Sequence, residues 1–196
     1  MQPRLRSGFT LIELMIAIAL IAIVTVKLTM VIKQSTQVNR RESTVLALED
    51  QAQRILDKIS FAIIGSDSST LVPNVQFPFF SSELKYQVSM GVENGATVWS
   101  DPEVIGQAEH KNELYWARNP GKADERYIVW CSSLSELLKD ELANGSDDNK
   151  NGLTDEAGVN FVIDREAVTI RLTLERTGKH GDPIRFTKET TVTCRN

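Results

Sequence analysis

Two stretches of this chain carry polar groups at spacings that imply chemistry. The first runs Asp147-Asp148-Asn149-Lys150-Asn151-Gly152-Leu153-Thr154-Asp155-Glu156. Counted from Asp147 as position 1, side-chain oxygens recur at positions 3 (Asn149) and 5 (Asn151). Gly152 takes position 6, Leu153 offers its backbone carbonyl at 7, and Asp155 sits at 9. That order wraps hard oxygen donors around one point and suits Ca2+, which takes oxygens at about 2.3–2.6 Å. Position 12 is Gly158, not the bidentate Glu of an EF-hand. Glu156, or an acid from elsewhere, has to complete the shell. The competing reading is a solvated turn, because Asn-Gly and Asp-Asn pairs favour turns without any metal. A bound ion would be structural, ordering a loop with few apolar residues of its own.

The second stretch is Phe9 to Val26, apolar except for Thr10, Glu13 and Thr25. A lone carboxylate in a membrane-length apolar helix costs on the order of 2.5–3.5 kcal/mol at the helix centre. Such a charge needs an offsetting partner, and the N-terminal amine of another copy or relative of the chain can supply it. Elsewhere the chemistry is thin. His110 and His180 are the only histidines, and both lie in polar, loop-like sequence. Cys131 and Cys194 form no CxxC pair, and there is no P-loop, GxSxG or HExxH. An enzyme is not expected.

The elements that position these residues follow from periodicity. Phe9 to Val26 rises about 27 Å as a helix, close to the roughly 30 Å of a bilayer core. No Gly or Pro occurs between Gly8 and Gly65, so nothing local breaks that helix. Beyond Lys33, apolar residues at Val38, Val45, Leu48, Ala52, Ile55, Ile59 and Ile63 recur at helical steps. Strands are expected at Leu84–Met90, Ala96–Trp99, Glu113–Ala117, Arg126–Cys131 and Phe161–Ile163. The capping box Ser133–Glu136 predicts a short helix carrying Leu134, Leu137, Leu138 and Leu142. Val168, Ile170, Leu172 and Leu174 alternate with polar residues, as do Ile184, Phe186, Val192 and Cys194. That pattern is an antiparallel hairpin with one buried face. The expected class is α+β, one long N-terminal helix packed on a small antiparallel β-sheet head.

The N-terminus resembles that of type IV prepilins and type II secretion pseudopilins. The matching residues are Arg4 and Arg6 in a basic leader, Gly8 as its last residue, Phe9 as the first mature residue, and Glu13 five positions in. The resemblance implies cleavage after Gly8 and N-methylation of Phe9 by a prepilin peptidase. It implies assembly with other minor and major pilins or pseudopilins by an inner-membrane platform, with Glu13 meeting the amine of a neighbour's Phe9. The proline that many pilins carry about 22 residues into the mature chain is Met30 here. An ordinary signal peptide fits worse, since no small-residue cleavage site follows the apolar run. The organisation implied is a leader at 1–8, a membrane and filament-core helix at 9–32, an amphipathic continuation at 33–64 and a β-rich head at 65–196. Pilins often close a C-terminal loop with a disulfide, which would pair Cys131 with Cys194; two buried free thiols are the alternative.

The whole chain carries 22 Lys and Arg against 26 Asp and Glu, a net charge of −4. Removing Arg4 and Arg6 with the leader leaves 20 against 26, or −6. An acidic head disfavours nucleic-acid binding. The basic leader keeps the N-terminus in the cytoplasm, with the head exported to the periplasmic side of the inner membrane. The size and the C-terminal hairpin look like J-type minor pseudopilins and PilW-like minor pilins. The expected function is a minor pseudopilin near the tip of a type II secretion pseudopilus. The alternative is a minor or major subunit of a type IV pilus serving adhesion, motility or DNA uptake.

Overall fold

An unbroken run without Gly or Pro becomes one unbroken helix. In the computed structural model, which describes residues 10–74, 76–109, 112–178 and 181–194, α1 spans Leu11–Ile64. Met30, where a proline would bend the helix, lies inside it. The chain divides into two compact units, one ending at Ser43 and one beginning at Thr44. In the first, the apolar side chains of α1 are exposed throughout, from Leu11 to Ile32. Its threonine hydroxyls do not need water. Thr25, Thr29 and Thr36 each donate to the carbonyl four residues earlier at 2.8 Å, which satisfies them within the helix.

In the second unit α1 becomes one-sided. Leu48, Ala52, Ile55, Leu56, Ile59 and Ile63 are buried, at the spacing of a single helical face. Opposite them lies a three-stranded antiparallel sheet of β7 (Val159–Asp164), β8 (Ala167–Thr177) and β9 (Pro183–Thr193), in that order. Val168, Ile170, Leu172 and Leu174 of β8 are fully buried and share the core with Val159, Phe161 and Ile163 of β7. The hairpin register sets Val168 beside Val192 and Leu174 beside Phe186.

A second antiparallel sheet has the order β1-β4-β5-β6, with β1 at Glu83–Tyr86, β4 at Glu103–Gln107, β5 at Leu114–Arg118 and β6 at Arg126–Cys131. Segment 72–85 stitches the two sheets together. Val72 bridges Lys85 of β1, and Ser81 bridges Phe161 of β7. The remaining ribbon, β2 (Ser89–Glu93) with β3 (Ala96–Trp99), turns at Asn94-Gly95, both at positive φ (53° and 83°). That is the backbone a two-residue hairpin turn demands.

Three expectations are corrected. The single strand Leu84–Met90 is two, β1 and β2. The chain leaves the four-stranded sheet at Gln87, and Ser89 N–H donates to the carbonyl of Gly65 at 2.9 Å, just past α1. Ser133–Leu142 is not a helix. Its backbone bonds go to tertiary partners, with Ser135 N–H donating to Thr173 O (2.9 Å) and Leu138 N–H to Glu156 O (2.8 Å). Burial of Leu134 and Leu138 outweighs the local capping signal.

Cys131 and Cys194 are not bridged; both are free thiols, buried in the core cluster. They face inward but lie near opposite ends of β8. Cys194 N–H donates to Glu166 O, whereas the carbonyl of Ser133 accepts from Glu175 N–H. The nine residues from Glu166 to Glu175 span about 30 Å of strand at ~3.3 Å each. A disulfide requires Cα atoms within about 7 Å. Burial raises the pKa of both thiols above the ordinary value, which keeps them protonated and unreactive.

Candidate functional site

At the start of α1, Thr10 and Glu13 form a reciprocal cap. Thr10 N–H and Thr10 Oγ1 each donate to Glu13 Oε2 at 2.9 Å, and Glu13 N–H donates to Thr10 Oγ1 at 3.3 Å. The pattern Thr10-Leu11-Ile12-Glu13 is a capping box. It places the carboxylate at the positive end of the helix dipole, where an anion is favoured. The role of Thr10 was readable from its spacing to Glu13, but the carboxylate's cost drew the sequence reading to an intermolecular partner instead. The geometry leaves Glu13 on the first turn, surrounded by exposed Leu11, Ile12, Leu14 and Ile16. Arg4, Arg6, Gly8 and Phe9 lie outside the described residues, as do His110 and His180. Among the described residues one helix, α1, is long and apolar enough to cross a membrane.

The Asp/Asn loop between β6 and β7 is a ladder of side chains capping backbone amides. Asp147 Oδ1 accepts from Asn151 N–H (3.1 Å) and Oδ2 from Gly152 N–H (2.8 Å). Asn149 Oδ1 accepts from Asn151 N–H (3.0 Å), and Asn151 Oδ1 from Leu153 N–H (2.9 Å). Gly152 makes the turn at φ +90°, where a Cβ would also meet the Phe77 ring at 3.2 Å. Under the ladder sits Glu156, fully buried. Its Oε2 accepts from Asn149 Nδ2 (3.0 Å) and Asn151 Nδ2 (2.5 Å). Its Oε1 accepts from Asn160 Nδ2 (3.1 Å) and Arg171 (3.0 Å). The structure thus brings Asp147, Asn149, Asn151 and Glu156 together, with Leu153 buried beside them.

Asp155 is not with them. Its carboxylate turns to cap Asn144 and Gly145, at 2.9–3.1 Å. Among the described residues no three His, Cys, Asp or Glu side chains converge as metal ligands. Sequence reasoning missed Glu141, Asn160 and Arg171. Glu141 is buried and accepts from Asn149 N–H and Asp155 N–H, each at 3.1 Å. Burial pushes its carboxyl above the ordinary range; the Asn149 amide lowers it, and the charges of Glu156 and Asp148 raise it further. Nothing in local spacing signals these three, because they reach the loop from other elements.

The head also has a groove of about 1210 Å3 between the last turns of α1 and the β2–β3 ribbon, flanked by Phe61, Met90, Val92 and Trp99. In its wall Glu103 Oε2 accepts from Tyr86 Oη (2.8 Å) and Trp116 Nε1 (2.9 Å). Lys58 lies 5.5 Å from the Trp130 ring centre, within cation–π range. Trp116 and Trp130 pack against the core and also line the groove.

Comparison with known proteins speaks to the N-terminus. Residues 3–26 match the model of the prokaryotic N-terminal methylation motif. None of the curated proteins and none of the solved structures matches the chain. The motif implies processing by a prepilin peptidase and assembly with other pilins. The α+β architecture, one long apolar N-terminal helix with antiparallel sheets, is pilin-like. The motif and the membrane-length helix it opens make this a membrane-anchored chain carrying the N-terminal signal of type IV pilin-like proteins and pseudopilins.

Proposed function

We propose that the chain is a non-catalytic minor subunit of a type II secretion pseudopilus, of the J-type or PilW-like kind, acting near the tip. The observation that carries this reading is a single carboxylate, Glu13, capped by Thr10 in the exposed, apolar first part of α1, from Leu11 to Val26, which opens with a prepilin motif. The peptidase removes residues 1–8 after Gly8 and methylates Phe9. The mature chain waits in the inner membrane with its N-terminus cytoplasmic and its head periplasmic. The platform then moves it into the filament. There the exposed face from Leu11 to Ile32 packs on neighbouring helices, and Glu13 pairs with the amine of an adjacent Phe9, setting axial register. Residues 33–64 carry the helix into the head, and residues 65–196 form the surface presented to partners. The acidic head makes nucleic acid an unfavoured partner.

The test is the secreted-protein profile of a clean deletion strain with complementation. Loss of exoproteins from the medium, with accumulation inside the envelope, supports the pseudopilus. Unchanged secretion removes it and leaves a type IV pilus subunit as the account of the same motif.

A further inference from the structure

We propose that the groove between the last turns of α1 and the β2–β3 ribbon binds a segment of a partner protein in which apolar residues flank one arginine or lysine. The inference does not depend on which filament the chain enters. It starts from where the aromatic residues lie. The chain has three tryptophans, Trp99, Trp116 and Trp130, and all of them line this groove. Each is half-buried. Tryptophan is enriched among the few residues that carry most of the energy of a protein interface. The rim is apolar too. Phe61 on α1 is 82% exposed, and Met90 and Val92 on the ribbon are 70% and 73% exposed. At about 1210 Å3 the groove exceeds the roughly 300–1,000 Å3 of small-molecule pockets, which gives it room for a length of chain.

The ribbon forms one wall and is tied down only at its root. There Ser89 N–H donates to Gly65 O (2.9 Å) and Ser100 N–H to Val88 O (2.8 Å). Beyond the root every residue of β2 is exposed, as are the first three residues of β3. A two-stranded ribbon is marginal in water on its own. Apolar side chains laid against Met90 and Val92 would cover the surface it now exposes, and methionine adapts its shape to such a contact.

Charge selects the occupant. The groove is lined by three carboxylates, Asp57, Asp67 and Glu103, against one cation, Lys58. Glu103 is held in place by the aromatic wall, since Tyr86 Oη and Trp116 Nε1 donate to it at 2.8 and 2.9 Å. Burial, and then the charge of Glu103, raise the pKa of Tyr86, so its hydroxyl remains a donor. Both bonds use Oε2, and among the described residues no donor meets Oε1. Asp67 accepts from Ser69 N–H at 2.7 Å, which holds its carboxyl below the ordinary range and keeps it ionised. Lys58 already lies 5.5 Å from the Trp130 ring centre, so the groove accepts a cation over an indole face. One ammonium still leaves an excess of two negative charges. A guanidinium stacks on aromatic faces and donates to carboxylates, which fits the free oxygen of Glu103 between tryptophans. An acidic segment would meet repulsion at the same place.

The test uses the full-length protein in nanodiscs of zwitterionic lipid, so that detergent does not fill the groove and anionic lipid does not attract the probe. The probe is a short capped peptide with one arginine between leucines and a neutral fluorophore. Its control carries citrulline, the uncharged isostere. Binding is read by anisotropy against empty discs. The expected result is saturable binding of the arginine peptide, about tenfold or more tighter than the citrulline peptide, with a preference that salt weakens. Glu103→Gln keeps an acceptor for Tyr86 and Trp116 and should remove most of that preference. Val92→Lys, at an exposed position on the rim, should weaken both peptides. Lys58→Met should tighten the arginine peptide, because it frees the Trp130 face and the carboxylates of their own cation; a folding defect would act in the opposite direction. Equal binding of the two peptides, a preference that Glu103→Gln leaves intact, or no binding at millimolar peptide overturns the proposal. So does displacement of the peptide by an equal concentration of tetramethylammonium, which would make the occupant a small cation. Cross-linking between two copies in one disc that Val92→Lys abolishes would make it a second copy, and overturns the proposal as well.

Discussion

Replacing Glu156 by alanine should be the most damaging single change in the loop, and its neighbour Glu189 supplies the comparison. Both carboxylates hold Arg171, Glu156 at 3.0 Å and Glu189 at 2.6 Å. Distance alone would rank Glu189 first. Burial reverses the order, because the Glu156 side chain is 0% exposed and that of Glu189 is 52% exposed. Breaking a buried pair typically costs about 3–5 kcal/mol, whereas an exposed pair contributes about 0–1 kcal/mol. Arg171 retains Glu189 when Glu156 is lost, which pulls the estimate toward about 3 kcal/mol. The same deletion also strands the amides of Asn149, Asn151 and Asn160, which stops it falling lower. For a chain of this length about 3 kcal/mol lowers the melting temperature by roughly 6–12 °C. Glu189→Ala should lower it by no more than about 4 °C. The assay is thermal unfolding of both variants in the same EDTA-containing buffer. Equal shifts for the two variants, or a Glu156→Ala protein within about 1 kcal/mol of wild type by urea titration, would show that burial does not govern this pair.

Glu13→Ala should leave membrane insertion intact and impair incorporation into filaments, because a neighbour's buried amine left without its carboxylate costs about 3–5 kcal/mol. Fractionation of sheared filaments against membranes reads this, and normal incorporation of the variant contradicts it. Unfolding the purified protein in a maleimide without reductant should label both Cys131 and Cys194, since their strand positions forbid a bridge; a chain that takes no label refutes that placement.

Much of this architecture was legible from local pattern. The absence of Gly and Pro from residues 9–64 allowed one long helix, and the apolar face at Leu48, Ala52, Ile55, Ile59 and Ile63 is the face that packs. Alternation at Val168–Leu174 gave the hairpin, because a sheet with one buried face writes its period into the residues. What local pattern missed depends on distant partners. β4 is short and contains Gly106, whose missing side chain lets Glu83 of β1 approach to 3.1 Å of where a Cβ would sit. Sequence periodicity holds no trace of that contact. Ser133–Glu136 matched a helix cap, yet Thr173 and Glu156 took its backbone bonds. Cys194 was read onto the apolar face of its strand, and it is buried there. The distance between Cys131 and Cys194 along β8 is set by strand offset, which alternation does not encode.

The loop divides in the same way. The spacing of Asp147, Asn149, Asn151 and Gly152 placed the oxygen ladder, because each contact is made within five residues. The floor of buried Glu141 and Asn160 and half-buried Arg171 comes from a preceding turn and from β7 and β8, and no local spacing announces it.

The central claim is that the first helix is a processed pilin-type anchor. Its most direct test is the N-terminal peptide of the protein recovered from membranes of a strain with an intact prepilin peptidase, read by mass spectrometry. The account predicts a chain that begins at Phe9 and carries one methyl group on its amine, with residues 1–8 restored when the peptidase is deleted. A chain that keeps Met1 in the presence of the peptidase, or that begins beyond the apolar run, would contradict it.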